Sequence, residues 1–595
     1  MFPIIIIGRK YYRLFDIYFS PMMQNNDEEA QKTLMPIDTT TPPQRAPSPR
    51  YNFRKYDQNQ QFLLPVSLKE WIDTGSLVHF LDVLINHLDN EGALDPIYQD
   101  YRVDGWGAPA YHPRMMVKVI FYGICNGPLS TRKLARAIET NMELRYLSGN
   151  QLPDFRTICD FRNRHNEALC NLFTDILELC EEAGLVKVGR VSLDGTKMKA
   201  NASMSKSYLR ETIARKIMEL MTEAKLLDDE EDQIFGSQRR GDELPEDLSD
   251  EGAQRKVIEL AMKRLTEARK KQQEQREREK VQKEKQKKVK KRASDQQEPI
   301  DVDEDVGNGP AGDASSPQSV EEGSESGSGP SRHDLDRLER MVDAYDQASQ
   351  KEREAREEQE EKHRKREQEE AETGKKKRGR KLKDPEEIEF PNAKGNITDP
   401  DSRIMVDGHG NHLQGYNCQA VVDTFSQIIV AFGVTQEEND FHQLIPMLEA
   451  CHLNMGRMPG QCVADAGYWT DEHGDLFIDG CEMFINTMKS WKLREKLKEK
   501  GPPKGRIPGG LSKRDLMERK LLTRKGQKVY KTRYMSEAVY GQMDTRGQNR
   551  FLRRGIPKVT TDWSLICSST NLMKLYTSRR WSISDSSLVL ESVGG

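Results

Sequence analysis

Apolar residues recur at helical spacing from about Pro65 to Gly184. Ser67 with Glu70 three residues on has the form of a capping box, and Leu77, Phe80, Leu81, Leu84, Ile85 and Leu88 follow on one helical face. Pro113 opens a second helix through Met116, Val119 and Ile120, which Asn126-Gly127-Pro128 ends. In the next helix Leu134, Ala137 and Ile138 share one face and Arg132, Lys133 and Arg136 another. Helix, short glycine-containing turn and basic helix fit a helix-turn-helix DNA reader, and equally an ordinary pair of packed helices with solvated charges. A longer helix is expected from about Asp154 to Glu182. The period then changes. Val186, Val188, Val191 and Leu193 read as a strand ending at Asp194, Tyr416–Val422 and Gln427–Val434 as a hairpin, Phe441–Cys451 as a helix, and Gln461–Ala464 as a short strand ending at Asp465. Strands mixed with helices, with carboxylates at strand ends, indicate an α/β domain with its site at one edge of a mixed sheet.

Between the first strand and the hairpin lies a long insertion, residues 204–397. It is charged and helical at first, rich in Ser, Gly, Asp and Glu over Ala293–Gly329 where disorder is expected, and helical again from His333 to Glu372. The run Lys375–Lys383 reads first as a solvated linker, and second as a DNA minor-groove contact through Arg378 and Arg380. The expected divisions are a disordered tail (1–50), a helical, DNA-binding N-terminal domain (51–150), the first part of a catalytic domain (151–203), the insertion (204–397), the second part of the catalytic domain (398–577) and a tail (578–595). Within the first 50 residues Met22, Met23 and Met35 are alternative starts.

Composition sharpens this picture at three points. The chain has 595 residues, 35% hydrophobic and 32% charged, which fits a folded core plus long solvated segments. Its net charge is only −4, but Lys489–Lys558 holds 22 Lys and Arg against 6 Asp and Glu, while Asp301–Pro330 holds 8 acids and no base. That asymmetry indicates a nucleic-acid-binding region and a separate acidic linker. The nine cysteines form no CxxC pair, which argues against a zinc site or disulfide framework and for a reducing cytoplasm. No apolar run approaches the roughly 20 residues of a membrane helix.

Two acids, Asp194 and Asp465, stand where strands are expected to end, and rigid strand ends hold carboxylates at fixed separation. Hard divalent cations such as Mg²⁺ prefer such oxygens, and two of them about 3.5–4 Å apart activate an attacking oxygen and stabilise a leaving one in phosphodiester chemistry. A third acid adds to the case. Tyr530, Arg533 and Glu537 are spaced Tyr-x2-Arg-x3-Glu, so Arg533 and Glu537 share a helical face. Glu537 there is placed to reach a metal, and Arg533 to hold phosphate. A surface ion pair has the same spacing.

With these motifs the sequence resembles the insertion-sequence DDE transposases with an RNase H-like catalytic domain, in the branch marked by Tyr-x2-Arg-x3-Glu-x6-Lys. The matching stretches run in order from Phe53 to Leu575: Gly107–Met116, Leu152–His165, Leu193–Ser203, Arg239–Leu248, Thr398–Met405, Gly415–Asp423, Ala464–Trp469 and the C-terminal block. The resemblance implies an α/β RNase H-like catalytic domain, preceded by an all-α domain and interrupted by the charged insertion. It implies that Asp194, Asp465 and Glu537 form a catalytic triad binding Mg²⁺ (or Mn²⁺), that Tyr530 and Arg533 contact transposon-end DNA, and that a homodimer holds two ends in a synaptic complex in the bacterial cytoplasm, cutting them and joining them to target DNA. Arg132, Lys133 and Arg136 are the expected DNA contacts of the N-terminal domain. Asn417 and Gln419 are placed to touch DNA or to be buried in the sheet.

One position departs from the pattern: Asp544 stands where the family carries Lys. A carboxylate there repels a phosphate, and Arg546 is the nearby base that offers compensation. The departure keeps open a second reading, a DNA-binding protein derived from a transposase that no longer cuts. A nuclease that cuts without joining, and a coiled-coil scaffold, are weaker alternatives, the last because the charged helices lack sustained apolar heptads.

Overall fold

The computed structural model describes residues 54–58, 67–73, 75–103, 108–127, 130–221, 332–373, 393–408, 410–472, 474–488, 501–584 and 587–590, with isolated helical positions between 252 and 270 and at 499. The N-terminal tail, the acidic middle of the insertion, Arg239–Leu248 and the basic run Lys375–Lys383 lie outside the described residues. The chain divides into a unit made of Met1–Asn126, Thr131–Lys187 and Asn571–Gly595 and a unit made of Gly127–Ser130 and Val188–Thr570.

The first unit is mainly helical: α1 (Leu77–Asn90), α2 (Asp95–Gln99), α3 (Pro113–Cys125), α4 (Thr131–Thr140), α5 (Met142–Leu147), α6 (Phe155–Arg164) and α7 (Asn166–Glu182). The Ser67 box caps only a four-residue 3-10 turn, and α1 starts afresh after Gly75, whose φ of 82° suits glycine. Phe80, Leu81, Leu84, Ile85 and Leu88 of α1 are buried, as the periodicity implies. Each such side chain contributes about 1.5–3 kcal/mol of transfer free energy. Leu134 of α4 sits so close to Gly123 of α3 that a Cβ on Gly123 would come within 2.9 Å of it, so the small residue sets the spacing of this helix pair. Lys118 is fully buried on α3, but its ammonium meets Asp82 at 2.5 Å, and Tyr146 donates to the other oxygen of that carboxylate at 2.9 Å. A buried charge survives only with such partners. The single helix expected over Asp154–Glu182 is two helices. His165 between them leaves helical geometry (φ −102°, ψ 34°), with its Nδ1 2.9 Å from Asp100 and its ring stacked on Tyr101.

The second unit is built on a mixed sheet. Its strands are β1 (Val191–Lys199), β4 (Arg403–Val406), β5 (His412–Asp423), β6 (Ile429–Thr435), β7 (Gln461–Ala464), β8 (Phe477–Ile478) and β9 (Cys481–Ile485). The order is β4-β5-β1-β7-β9-β8, with β6 on the same edge of β5 as β4. β5 pairs antiparallel with β1, and β7 pairs parallel with both β1 and β9. The expected hairpin is β5–β6, and its strands are buried almost throughout. β1 differs from expectation at both ends. It starts at Val191, because Val188 adopts φ 49°, a conformation a β-branched residue rarely takes and a strand does not contain. It also runs five residues past Asp194.

The insertion contributes β2 (Ser207–Leu209) paired with β3 (Lys394–Asn396), and the 42-residue helix α8 (Arg332–Thr373). Ile213, Ile217, Val257, Met341, Val342 and Tyr345 form a small helical core there. Beyond the sheet come α9 (Leu444–Met455), α10 (Lys513–Leu522), α11 (Arg524–Tyr530), a 3-10 turn (Lys531–Arg533), α12 (Tyr534–Thr545) and α13 (Ile556–Ser578). A two-stranded ribbon, Trp581–Ser584 with Ser587–Leu590, follows α13. Among the described residues no helix is long and apolar enough to cross a membrane, and the nine cysteines are free thiols.

Candidate active site

β1 is held on two sides over only three residues. β7 pairs with Val191, Ser192 and Leu193 and stops at Ala464, so the parallel ladder ends one residue before both Asp194 and Asp465. The two carboxylates therefore emerge side by side where neighbouring parallel strands part. Asp194 is no strand end, since β5 continues to pair with β1 through Lys199. It is the first residue of β1 beyond β7.

α12 closes over that point. Val539 and Met543 bury its inner face, and three hydroxyls bind it to β1. Ser192 Oγ lies 3.0 Å from Ser536 Oγ, and Ser536 donates to Asp194 Oδ2 at 3.2 Å. The Tyr540 hydroxyl donates to the Asp194 carbonyl at 2.6 Å, where β7 no longer runs beside the chain. Burial, and then the charge of Asp465, push the Asp194 carboxyl up to about 7, while Arg533, the Gly195 N–H and the Ser536 hydroxyl pull it back. Two carboxylates this close, with hard oxygen donors, fit a divalent cation, whose charge would relieve their repulsion.

Glu537 is in the first turn of α12, and its side chain is 53% exposed. Its carboxylate pairs with Arg533, the residue before α12, and the Arg533 guanidinium also stands 4.0 Å from Asp194. The arginine is thus the cation lying between Asp194 and Glu537. Among the described residues no three His, Cys, Asp or Glu side chains converge closely enough to hold a metal ion. Tyr530 ends α11 half-buried against Val463, Phe484 and Val529. Arg546 caps α12 and donates to Thr570 at 2.8 Å, while Asp544 accepts from Asn549 at 3.1 Å. Arg132, Lys133 and Arg136 stand exposed along α4, in the other unit, and the Arg132 guanidinium lies 4.9 Å from the centre of the Phe155 ring.

Asn417 and Gln419 are fully buried. They turn to a residue that sequence reading missed, Asp440, in the loop between β6 and α9. Asn417 donates to Asp440 Oδ1 at 2.6 Å and Gln419 at 2.8 Å, and Lys197 reaches the same oxygen at 3.2 Å. Asp440 lies in a polar run, Glu437-Glu438-Asn439-Asp440, and nothing in its local sequence sets it apart from a solvated loop acid.

Comparison with known families bears on both ends of the chain. Residues 66–164, which include α4, match the model of a transposase domain (DUF772). Residues 511–576, which include Tyr530, Arg533 and Glu537, match that of a transposase DDE domain. No curated protein and no solved structure matches the chain.

Proposed function

The chain belongs to the insertion-sequence DDE transposases, and from that premise we propose that it cleaves DNA at the ends of its element and transfers the freed strands to target DNA, with Asp194, Asp465 and Glu537 as its catalytic acids. The observation that carries this reading is the emergence of Asp194 and Asp465 together where β1 and β7 part, beneath the helix that bears Glu537. The strand order β6-β5-β1-β7-β9, three antiparallel strands joined to parallel ones, supports an RNase H-like fold for the catalytic domain.

Asp194, Asp465 and Glu537 would hold Mg²⁺ or Mn²⁺. When bound, such ions supply the Lewis acidity and charge neutralisation that in-line phosphodiester displacement needs. The chain's own residues do the rest. Asp194 has to be ionised, and Arg533 and Ser536 favour that state. Arg533 neutralises Asp194 and Glu537 in the absence of DNA. A backbone phosphate is a better partner for its fork of donors, and its transfer to the phosphate leaves Glu537 free to turn to the aspartates. Arg132, Lys133 and Arg136 of α4 hold the duplex in the helical unit, and a homodimer brings two ends together.

Asp544 favours a second reading, a DNA binder that no longer cuts, because it places a negative charge where its relatives are expected to meet a phosphate with Lys. Strand cleavage of labelled DNA carrying the element's own terminal repeat, with Mg²⁺ or Mn²⁺, separates the two. Cleavage by the wild type that is lost in Glu537→Ala supports the transposase. Repeat-specific binding without cleavage by either supports the binder, and Asp544→Lys is then the rescue to assay.

A further inference from the structure

We propose that Asp440 is a positioning residue for Asp465, acting through Gln419 and Tyr468. The proposal rests on the reading of Asp465 as a catalytic acid, and its physical content is a hydrogen-bond chain with only one consistent direction.

A carboxylate accepts and does not donate. Asp440 Oδ1 faces three donors: Lys197 at 3.2 Å, the Asn417 amide at 2.6 Å and the Gln419 amide at 2.8 Å. Both amides must therefore turn their NH2 groups towards it. Gln419 spends its second N–H on the Asn417 carbonyl at 2.9 Å, so its own carbonyl is left facing the Tyr468 hydroxyl, which donates to it. Tyr468, Gln419 and Asn417 are fully buried, which makes any reversed amide in this chain costly. Replacement of the carboxylate by a group that cannot accept removes the reason for the amides' orientation.

Tyr468 closes the turn that carries Asp465. Its N–H approaches the Asp465 carbonyl at 3.4 Å, and between them Gly467 donates its N–H to Asp465 Oδ1 at 2.7 Å. The Tyr468 side chain ties this turn to β5 through Gln419, at a point where β7 has ended and, among the described residues, no strand pairs with Asp465. Two glycines make room for the arrangement. A Cβ on Gly195, the neighbour of Asp194, would fall 2.5 Å from the Gln419 amide and 2.9 Å from Asp440 Oδ1. One on Gly467 would fall 2.9 Å from Asp465 Oδ1 and 3.3 Å from Asp440 Oδ2. Asp440 thus reaches the backs of both acid-bearing segments, while its charge is met by Lys197.

The test uses the full chain and four variants, Asp440→Ala, Asp440→Asn, Tyr468→Phe and the double variant Asp440→Ala/Tyr468→Phe. Amide hydrogen exchange is read over Ala464–Thr470, with α1 as the internal reference for intact folding. Asp440→Ala and Tyr468→Phe should each speed exchange of that segment by about tenfold, and the double variant by no more than either alone. Asp440→Asn keeps a carbonyl acceptor and should stay near wild type. In the cleavage assay Asp440→Ala should lower kcat by about 10²-fold, with KM for end DNA unchanged. Wild-type exchange in Asp440→Ala overturns the proposal. So do additive effects in the double variant, and so does an Asp440→Asn as impaired as Asp440→Ala, which would make the charge itself the requirement, as for a metal ligand. If the wild-type protein does not cleave, the transposase reading fails while the exchange results still decide the role of Asp440.

Discussion

Arg533 pairs with Glu537 one helical turn further along the chain, and the same guanidinium stands 4.0 Å from Asp194. The relationship couples a charge on α12 to the ionisation of a strand residue. The Asp194 carboxyl is already pushed up to about 7, by burial first and Asp465 second, and Arg533 opposes that push. Without the guanidinium the carboxyl should titrate higher still. Since the reaction needs Asp194 ionised, the acid limb of the pH–rate profile for cleavage should move to higher pH in Arg533→Gln and stay near its wild-type place in Arg533→Lys. An unmoved limb in Arg533→Gln would show that the two groups are not coupled.

Tyr540 makes a separate prediction, one of stability. Its hydroxyl donates at 2.6 Å to the Asp194 carbonyl, beyond the reach of β7. Tyr540→Phe keeps the ring and removes this hydrogen bond from a carbonyl that stays in the ladder with β5, a change that typically costs about 0.5–1.5 kcal/mol. Urea unfolding should show the loss with or without divalent metal. A midpoint equal to that of wild type would mean that water or the neighbouring backbone replaces the hydroxyl.

These contacts also mark how far the sequence is legible. Gln461–Ala464 is readable because a short apolar run bounded by Gly460 and Asp465 fits a buried strand, and the strand has those bounds. The hairpin β5–β6 is readable for the same reason. The start of β1 is not, because Val188 continues the apolar pattern while its backbone takes φ 49°. The break between α6 and α7 is equally hidden. Apolar periodicity runs through His165, and what interrupts the helix is tertiary, the contact with Asp100 and the stacking on Tyr101. Among the acids, Asp194 and Asp465 can be singled out from the strands that carry them. Asp440 cannot, because its partners Lys197, Asn417 and Gln419 lie 243, 23 and 21 residues away.

The helical unit should be acid-sensitive through His112. Burial first, and then the charges of Arg114 and Lys118, pull its imidazole down to about 3. Unfolded, the same imidazole takes its proton near 6.5. Between those values the unfolded chain binds a proton that the folded chain refuses. The His112 contribution is therefore neutral above pH 6.5, and stability falls as the pH drops below it, by up to about 1.4 kcal/mol per unit. His112→Gln should flatten this part of the stability–pH curve, as followed by urea unfolding between pH 7 and 5. An unchanged slope would show that other groups carry the acid sensitivity.

The last prediction concerns α4. Arg132, Lys133 and Arg136 are exposed on the face opposite the buried Leu134 and Ile138, where a phosphate backbone can be met without unpacking the helix. Each phosphate neutralised releases counterions, and the logarithm of the binding constant falls with the logarithm of salt concentration with a slope of about −0.9 per contact. Arg132→Ala/Lys133→Ala/Arg136→Ala should therefore weaken binding to the terminal repeat and reduce the steepness of that slope by about 3. The folded state should be unaffected, because burial on α4 is carried by the apolar face. Side chains that read bases rather than phosphates would instead lower affinity for the repeat more than for unrelated duplex and leave most of the slope in place. Equal affinity and slope in wild type and variant would assign α4 to packing alone, with the Arg132 guanidinium serving its contact with Phe155.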